Sequence, residues 1–180
     1  MGRSQPLTAA IVGSTIIAAV STVGDFVWAT WIPQHRAVYG MTHGTLLFCA
    51  IGLCLGRLEG RMAAGGMAGA MIGVIAAGAF YLLTPFVGFS AMFVIWFGVW
   101  MALGLLHARL GGVWTGDREM LARVTIAAVA SGLVFFAISG IWRPFDPDGW
   151  DYATHLGAWA FAYFPGFAAL LVHRELQPSR

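Results

Sequence analysis

Asp25 follows Ser14, Ala18 and Ser21 at spacings of four, three and four in an otherwise apolar run. One helical face there carries a narrow stripe of small and polar residues that ends on a carboxylate. His43 and His155 open two further apolar runs, each directly after a threonine, Thr42 and Thr154. Two imidazoles and a carboxylate form the donor set of a two-histidine, one-carboxylate metal site, with the threonines as acceptors for the second ring nitrogens. The same three groups could equally be the polar head-group contacts of a bound ligand. No H-x-x-x-H or H-E-x-x-H spacing is present, so a hydrogen-bonded interfacial histidine is the plainer role for each. Asp25 has a plainer role too, capping its helix or pairing with Arg36, with His35 and His43 as further neighbours. If these groups do face a ligand, Trp28, Tyr81, Trp96 and Trp100 are candidate apolar walls. Asp148 then lies in the mouth, within the polar loop 143–151, where a rigid turn with Asp148 or Asp151 as a helix cap is the simpler expectation. Pairing His107 and His173 with His43 and His155 suggests two stacked haems. However, His155 and His173 lie about 27 Å apart along a helix at ~1.5 Å per residue, which leaves both haems half outside a bilayer. There is no G-x-S-x-G and no phosphate-binding glycine loop, so the pattern leans away from catalysis and specifies no cofactor.

These residues need elements to hold them, and composition says which. Of 180 residues, 59% are hydrophobic and only 10% charged, with a mean hydropathy of +0.77. Soluble domains carry about 25% charged residues, so an ordinary water-soluble enzyme and a disordered chain are both excluded. Ten basic residues, all arginine, against eight acidic ones give +2, too even a balance for nucleic-acid binding. Cys49 and Cys54 sit on different faces of one apolar run and make no disulfide scaffold.

A bilayer core needs about 20 mostly apolar residues per helix. Six stretches qualify, 8–29, 40–57, 63–84, 88–108, 121–142 and 153–173. The expectation is therefore an all-α, polytopic bundle of six transmembrane helices forming a single domain over 1–180. The first span is too long for the core of a cleavable signal peptide. With the N-terminus inside, Arg3, Arg57, Arg61, Arg109, Arg118, Arg123, Arg174 and Arg180 fall on the cytoplasmic side and only Arg36 and Arg143 outside. That places both termini in the cytoplasm of a bacterial inner-membrane protein. The chain also reads as three helical hairpins in series, with Pro33, Pro85, and Pro144 with Pro147 in the odd-to-even connections. This similarity reflects either an internal repeat or simply what membrane hairpins need.

Lipid gives no hydrophobic gain on helix association, so small residues that let backbones approach must hold such a bundle. Gly65, Gly69, Gly73 and Ala77 recur every fourth residue in the third span, and Gly40, Gly44, Gly52 and Gly56 lie in the second. The Gly65/Gly69/Gly73 face serves either internal packing or a homo-oligomer seam. Trp28, Trp31, Trp142 and Trp150 fall at the outer interface and Trp114 at the inner one, where indole rings anchor.

Six compact spans with both ends cytoplasmic resemble the Insig (insulin-induced gene) family. Local stretches are similar as well: Trp31-Ile32-Pro33, Gly44-Thr45 followed by Ile51-Gly52-Leu53, and Pro147-Asp148. The resemblance implies a lipid-binding cleft within the bundle and no catalysis. The family's acidic connection between spans three and four is replaced here by Thr84-Pro85-Phe86, and Asp25, His43 and His155 have no counterpart there. The residues and the resemblance together lead to one expectation. A membrane lipid or other apolar small molecule binds in an intrabundle pocket open to the outer leaflet, contacted by Asp25, His43, His155, Trp28, Tyr81, Trp96, Trp100 and Asp148. Two alternatives stand beside it, a metal- or haem-dependent membrane enzyme built on Asp25, His43 and His155, and a small proton-coupled transporter in which Asp25 carries the proton.

Overall fold

The computed structural model describes residues 5–30, 36–112, 118–139 and 149–172. They form six helices and no strand: α1 (Gln5–Thr30), α2 (Arg36–Leu58), α3 (Met62–Val87), α4 (Ala91–Leu110), α5 (Arg118–Ser139) and α6 (Gly149–Val172), with a single 3-10 turn at Gly88–Ser90 before α4. Four stretches among them are long and apolar enough to cross a membrane, Leu7–Val27, Ala37–Leu58, Met62–Val87 and Ala91–Leu110. In α5 the apolar stretch Leu121–Phe135 is shorter, and α6 carries Asp151, His155 and Pro165 along its length.

The outside of the bundle is oily. Met67, Met71, Ile75, Leu82 and Phe86 of α3 all point outward, with Phe86 84% exposed. Leu7, Ile11, Ile16, Val20 and Val23 do the same on α1. Patches of that extent are unfavourable in water and cost nothing against acyl chains.

The helices meet in chain order as a ring, α2 with α3, α3 with α4, α4 with α5, α5 with α6 and α6 back to α1, while α1 and α2 touch only slightly. Three serial hairpins would pair α1 closely with α2. Here α1 instead lies against α6, and the closest pairing of all is α2 with α3.

Glycine explains that pairing. A side chain on Gly52 would run into the backbone of Gly65 and Gly69, one on Gly69 into the Phe48 carbonyl, and one on Gly73 into Gly44. The Gly65/Gly69/Gly73 ladder thus faces α2 of the same chain, backbone against backbone. The turn between the two helices is a Schellman motif: Arg61 N–H donates to the Gly56 carbonyl at 2.7 Å and Gly60 N–H to the Arg57 carbonyl at 3.2 Å. Gly60 takes the left-handed φ of 67° that the motif requires.

Pro85, expected in the connection after residue 84, lies inside α3, which continues to Val87. Proline removes one helical donor there. Thr84 Oγ1 donates to the Phe80 carbonyl at 2.6 Å in the same turn, and the helix closes where Gly88 N–H reaches the Thr84 carbonyl.

At the centre, Trp96, Trp100, Phe135, Trp159, Tyr163 and Phe167 form one buried aromatic cluster. Ser131 ties three helices together within it. It accepts from Trp96 Nε1 of α4 at 3.1 Å and donates to the Ala162 carbonyl of α6.

Candidate functional site

The polar stripe of α1 does turn inward. Ser14 and Ser21 are buried and Ala18 is fully so, and α6 covers them. Because α6 runs antiparallel to α1, its residues 155, 159 and 163, one turn apart, descend the stripe in reverse order. Tyr163 Oη meets Ser21 Oγ at 3.1 Å. One turn toward the end of α1, Asp25 Oδ2 receives Trp159 Nε1 at 2.7 Å and lies 2.8 Å from His155 Nδ1. Two of the three expected polar residues, Asp25 and His155, are therefore in direct contact, and the rest of the bundle buries His155.

His43 approaches from α2. Its ring lies against Gly24, where any side chain would overlap the imidazole, so the glycine preceding Asp25 is what admits it. Tyr39, one turn earlier, stacks on His43 with ring centroids 5.7 Å apart and donates its hydroxyl to the Gly24 carbonyl at 2.6 Å. Thr42, the expected acceptor for His43, donates instead to the Val38 carbonyl of its own helix at 2.9 Å, because a threonine hydroxyl inside a helix reaches the carbonyl four residues back more readily than a neighbouring ring. Thr154 is exposed.

Asp25 and His43 line a cavity of ≈ 200 Å³; His155, expected to line it too, lies behind Asp25 instead. Five helices line it, α1 through Asp25, α2 from Tyr39 to Phe48, α3 from Gly73 to Tyr81, α4 from Met92 to Val99, and α6 through Trp159 and Tyr163. It starts where α1 ends and α2 begins and reaches about 13 Å down α2, taking ~1.5 Å per residue. The slight contact between α1 and α2 leaves its flank thinly covered by the described residues. Gly40 keeps α2 slim enough for the Tyr81 hydroxyl to close against it.

Trp96 and Tyr81 are walls of this cavity, as expected of them. Trp100 is not. It lies one turn deeper, fully buried between Tyr163 and Phe167 on a flat seat left by Gly166. The side chain of Trp28, along with Asp148 and His173, falls outside the described residues. Among the described residues no three of His, Cys, Asp and Glu are grouped as a metal ion needs, so Asp25, His43 and His155 do not converge as a ligand triad. Asp151 sits in the first turn of α6, where a carboxylate complements the helix dipole. At the opposite end of the bundle, His107 Nδ1 stands 3.9 Å from Glu59, joining the α2–α3 turn to the end of α4.

Trp159, Tyr163 and Tyr39 were not singled out by sequence reasoning, although their spacing offered a signal. Trp159 and Tyr163 follow His155 at four and eight residues, and Tyr39 precedes His43 by four. Comparison with known protein families, curated proteins and solved structures finds no match for this chain.

Proposed function

We propose that this chain is a single-domain integral membrane protein that crosses the bilayer six times and takes a small, largely apolar molecule into the cavity between α2–α3 and α6. Asp25 and His43 contact the ligand's polar end, His155 holds Asp25 from behind, and Tyr81, Trp96 and Trp159 contact the ligand's body. The observation that carries this reading is a cavity of ≈ 200 Å³ with mostly apolar walls and a carboxylate and an imidazole at one end. Pockets of this make-up, apolar with a few convergent polar groups, are the usual form of small-molecule sites. Ionisable groups inside a membrane carry function by default.

Six crossings are supported by the packing. The 22 residues of α5 and 24 of α6 pack against α4 and α1, which favours one shared depth for all six. The arginine distribution favours both termini in the cytoplasm, and on that orientation the cavity lies in the outer half of the bilayer. Entry from the side, between α1 and α2, suits a molecule dissolved in the membrane. The lipid-binding cleft implied by the Insig-like resemblance points the same way, although ≈ 200 Å³ holds one ring system or a short acyl segment rather than a whole lipid.

Native mass spectrometry of the protein released from membranes tests the proposal. The expected result is a retained small molecule whose occupancy falls at least tenfold in an Ala76→Phe variant, which fills the cavity with a ring. Equal occupancy in the two proteins would remove the reading.

A further inference from the structure

Two polar groups at this cavity have no hydrogen-bond partner on one of their atoms among the described residues. Both hydrogen bonds to Asp25 fall on Oδ2, and Oδ1 has no partner among the described residues. His43 stacks on Tyr39 and rests on Gly24, and its ring nitrogens have no hydrogen-bond partner among the described residues either. Among the described residues no arginine lines the cavity, and the groups that hold Asp25 are an indole N–H and the His155 imidazole, both on Oδ2. Six aromatic side chains are among the surrounding walls, Tyr39, Phe80, Tyr81, Trp96, Trp159 and Tyr163.

We infer that the ligand is a lipophilic amine bound as its ammonium ion, with the charged nitrogen between Asp25 Oδ1 and His43. The inference rests on the ligand-site reading above and adds the charge. An ammonium N–H satisfies both unpartnered groups at once, donating to the carboxylate and to an imidazole nitrogen. Aromatic faces attract a cation through their quadrupoles, most strongly where water is excluded. A phosphate or carboxylate head would instead meet the Asp25 charge at close range in a low dielectric. A neutral alcohol would bridge the two groups without bringing a counter-charge to Asp25. Size sets the rest. A cavity of about 150 Å³ accepts benzene, so ≈ 200 Å³ accommodates one aromatic ring with a short aminoalkyl arm.

Three probes of one shape separate charge from fit: 2-phenylethylamine, 2-phenylethanol and n-propylbenzene, titrated calorimetrically into the full-length protein in lipid nanodiscs against empty nanodiscs. The amine is expected to bind at least tenfold tighter than either neutral probe. In Asp25→Asn that margin disappears while n-propylbenzene binds as before, which shows the cavity intact. The comparison within the native protein stands by itself if the variant does not fold. Equal or tighter binding of the alcohol or the hydrocarbon to the native protein overturns the cation inference and leaves the ligand-site reading in place. Binding of none of the three overturns both.

Discussion

The two most extensive seams of this bundle are built from opposite materials. Between α2 and α3 the contact is backbone on backbone, with glycines facing glycines and no room for a methyl group. Between α1 and α6 it is side chain on side chain, with Ser21 on Tyr163 and Asp25 on Trp159 and His155. The first seam fuses two helices into a slab. The second sets the rings of α6 against the small buried residues of α1, and the cavity opens where slab and rings face each other. Close packing and open space thus come from one economy of side-chain size. Glycine seams supply rigidity in a solvent that gives helices no hydrophobic reason to associate, and the large side chains supply the site.

Substitutions at the seams test that contrast. The largest effect is expected at the glycine seam. Gly69→Leu drives a side chain into the Phe48 carbonyl, and neither backbone can yield without separating the helices. A loss of about 3 kcal/mol is expected, read as a collapse of thermal stability in detergent; retention of native stability would dissolve the contrast. Next comes the three-helix tie. Ser131→Ala leaves the Trp96 N–H buried without its acceptor, at a cost of about 1–2 kcal/mol in chemical unfolding. On the side-chain seam, Ser21→Ala removes one hydrogen bond to Tyr163 and should cost only about 0.6 kcal/mol, the average for such bonds within membranes. Smallest, and opposite in sign, is Gly13→Ala. A methyl group there would sit 3.7 Å from the Phe167 ring, an ordinary contact, and alanine favours the helix by roughly 0.5–1 kcal/mol. Thermal unfolding should show Gly13→Ala at least as stable as the native protein; destabilisation would mean that both seams are equally tight.

Much of this was legible in the residues, for physical reasons. A polar stripe at 14, 18, 21 and 25 has to be hidden from lipid, and it is, fully at the first three and for the most part at Asp25. A glycine ladder every fourth residue has to meet another backbone, and it meets α2. What could not be read was which helix meets which. The slight contact of α1 with α2 and its long one with α6 depend on side chains 130 residues apart finding each other, as His155 finds Asp25, and no local spacing encodes that. The same gap explains Trp100. It shares a helix face with Trp96, yet a seat made by Gly166 on another helix draws it into the core. Trp159 and Tyr163 were obscured by abundance. In a chain that is 14% aromatic, two more rings in the middle of an apolar run do not stand out, and only the position of Asp25 and Ser21 across the seam marks these two as partners. Pro85 misplaced the end of α3 because a proline close to a helix terminus breaks few bonds, and Gly88 ends the helix instead.

The most direct measurement is a crystal structure grown from a lipidic mesophase at a resolution that shows bound small molecules. A compact, non-protein feature should appear between Tyr81, Trp96 and Trp159 with one end against Asp25 and His43, while His155 and Trp159 hold the far carboxylate oxygen. A cavity closed by its own side chains, or an Asp25 turned away from α6 toward the acyl chains, would contradict the account.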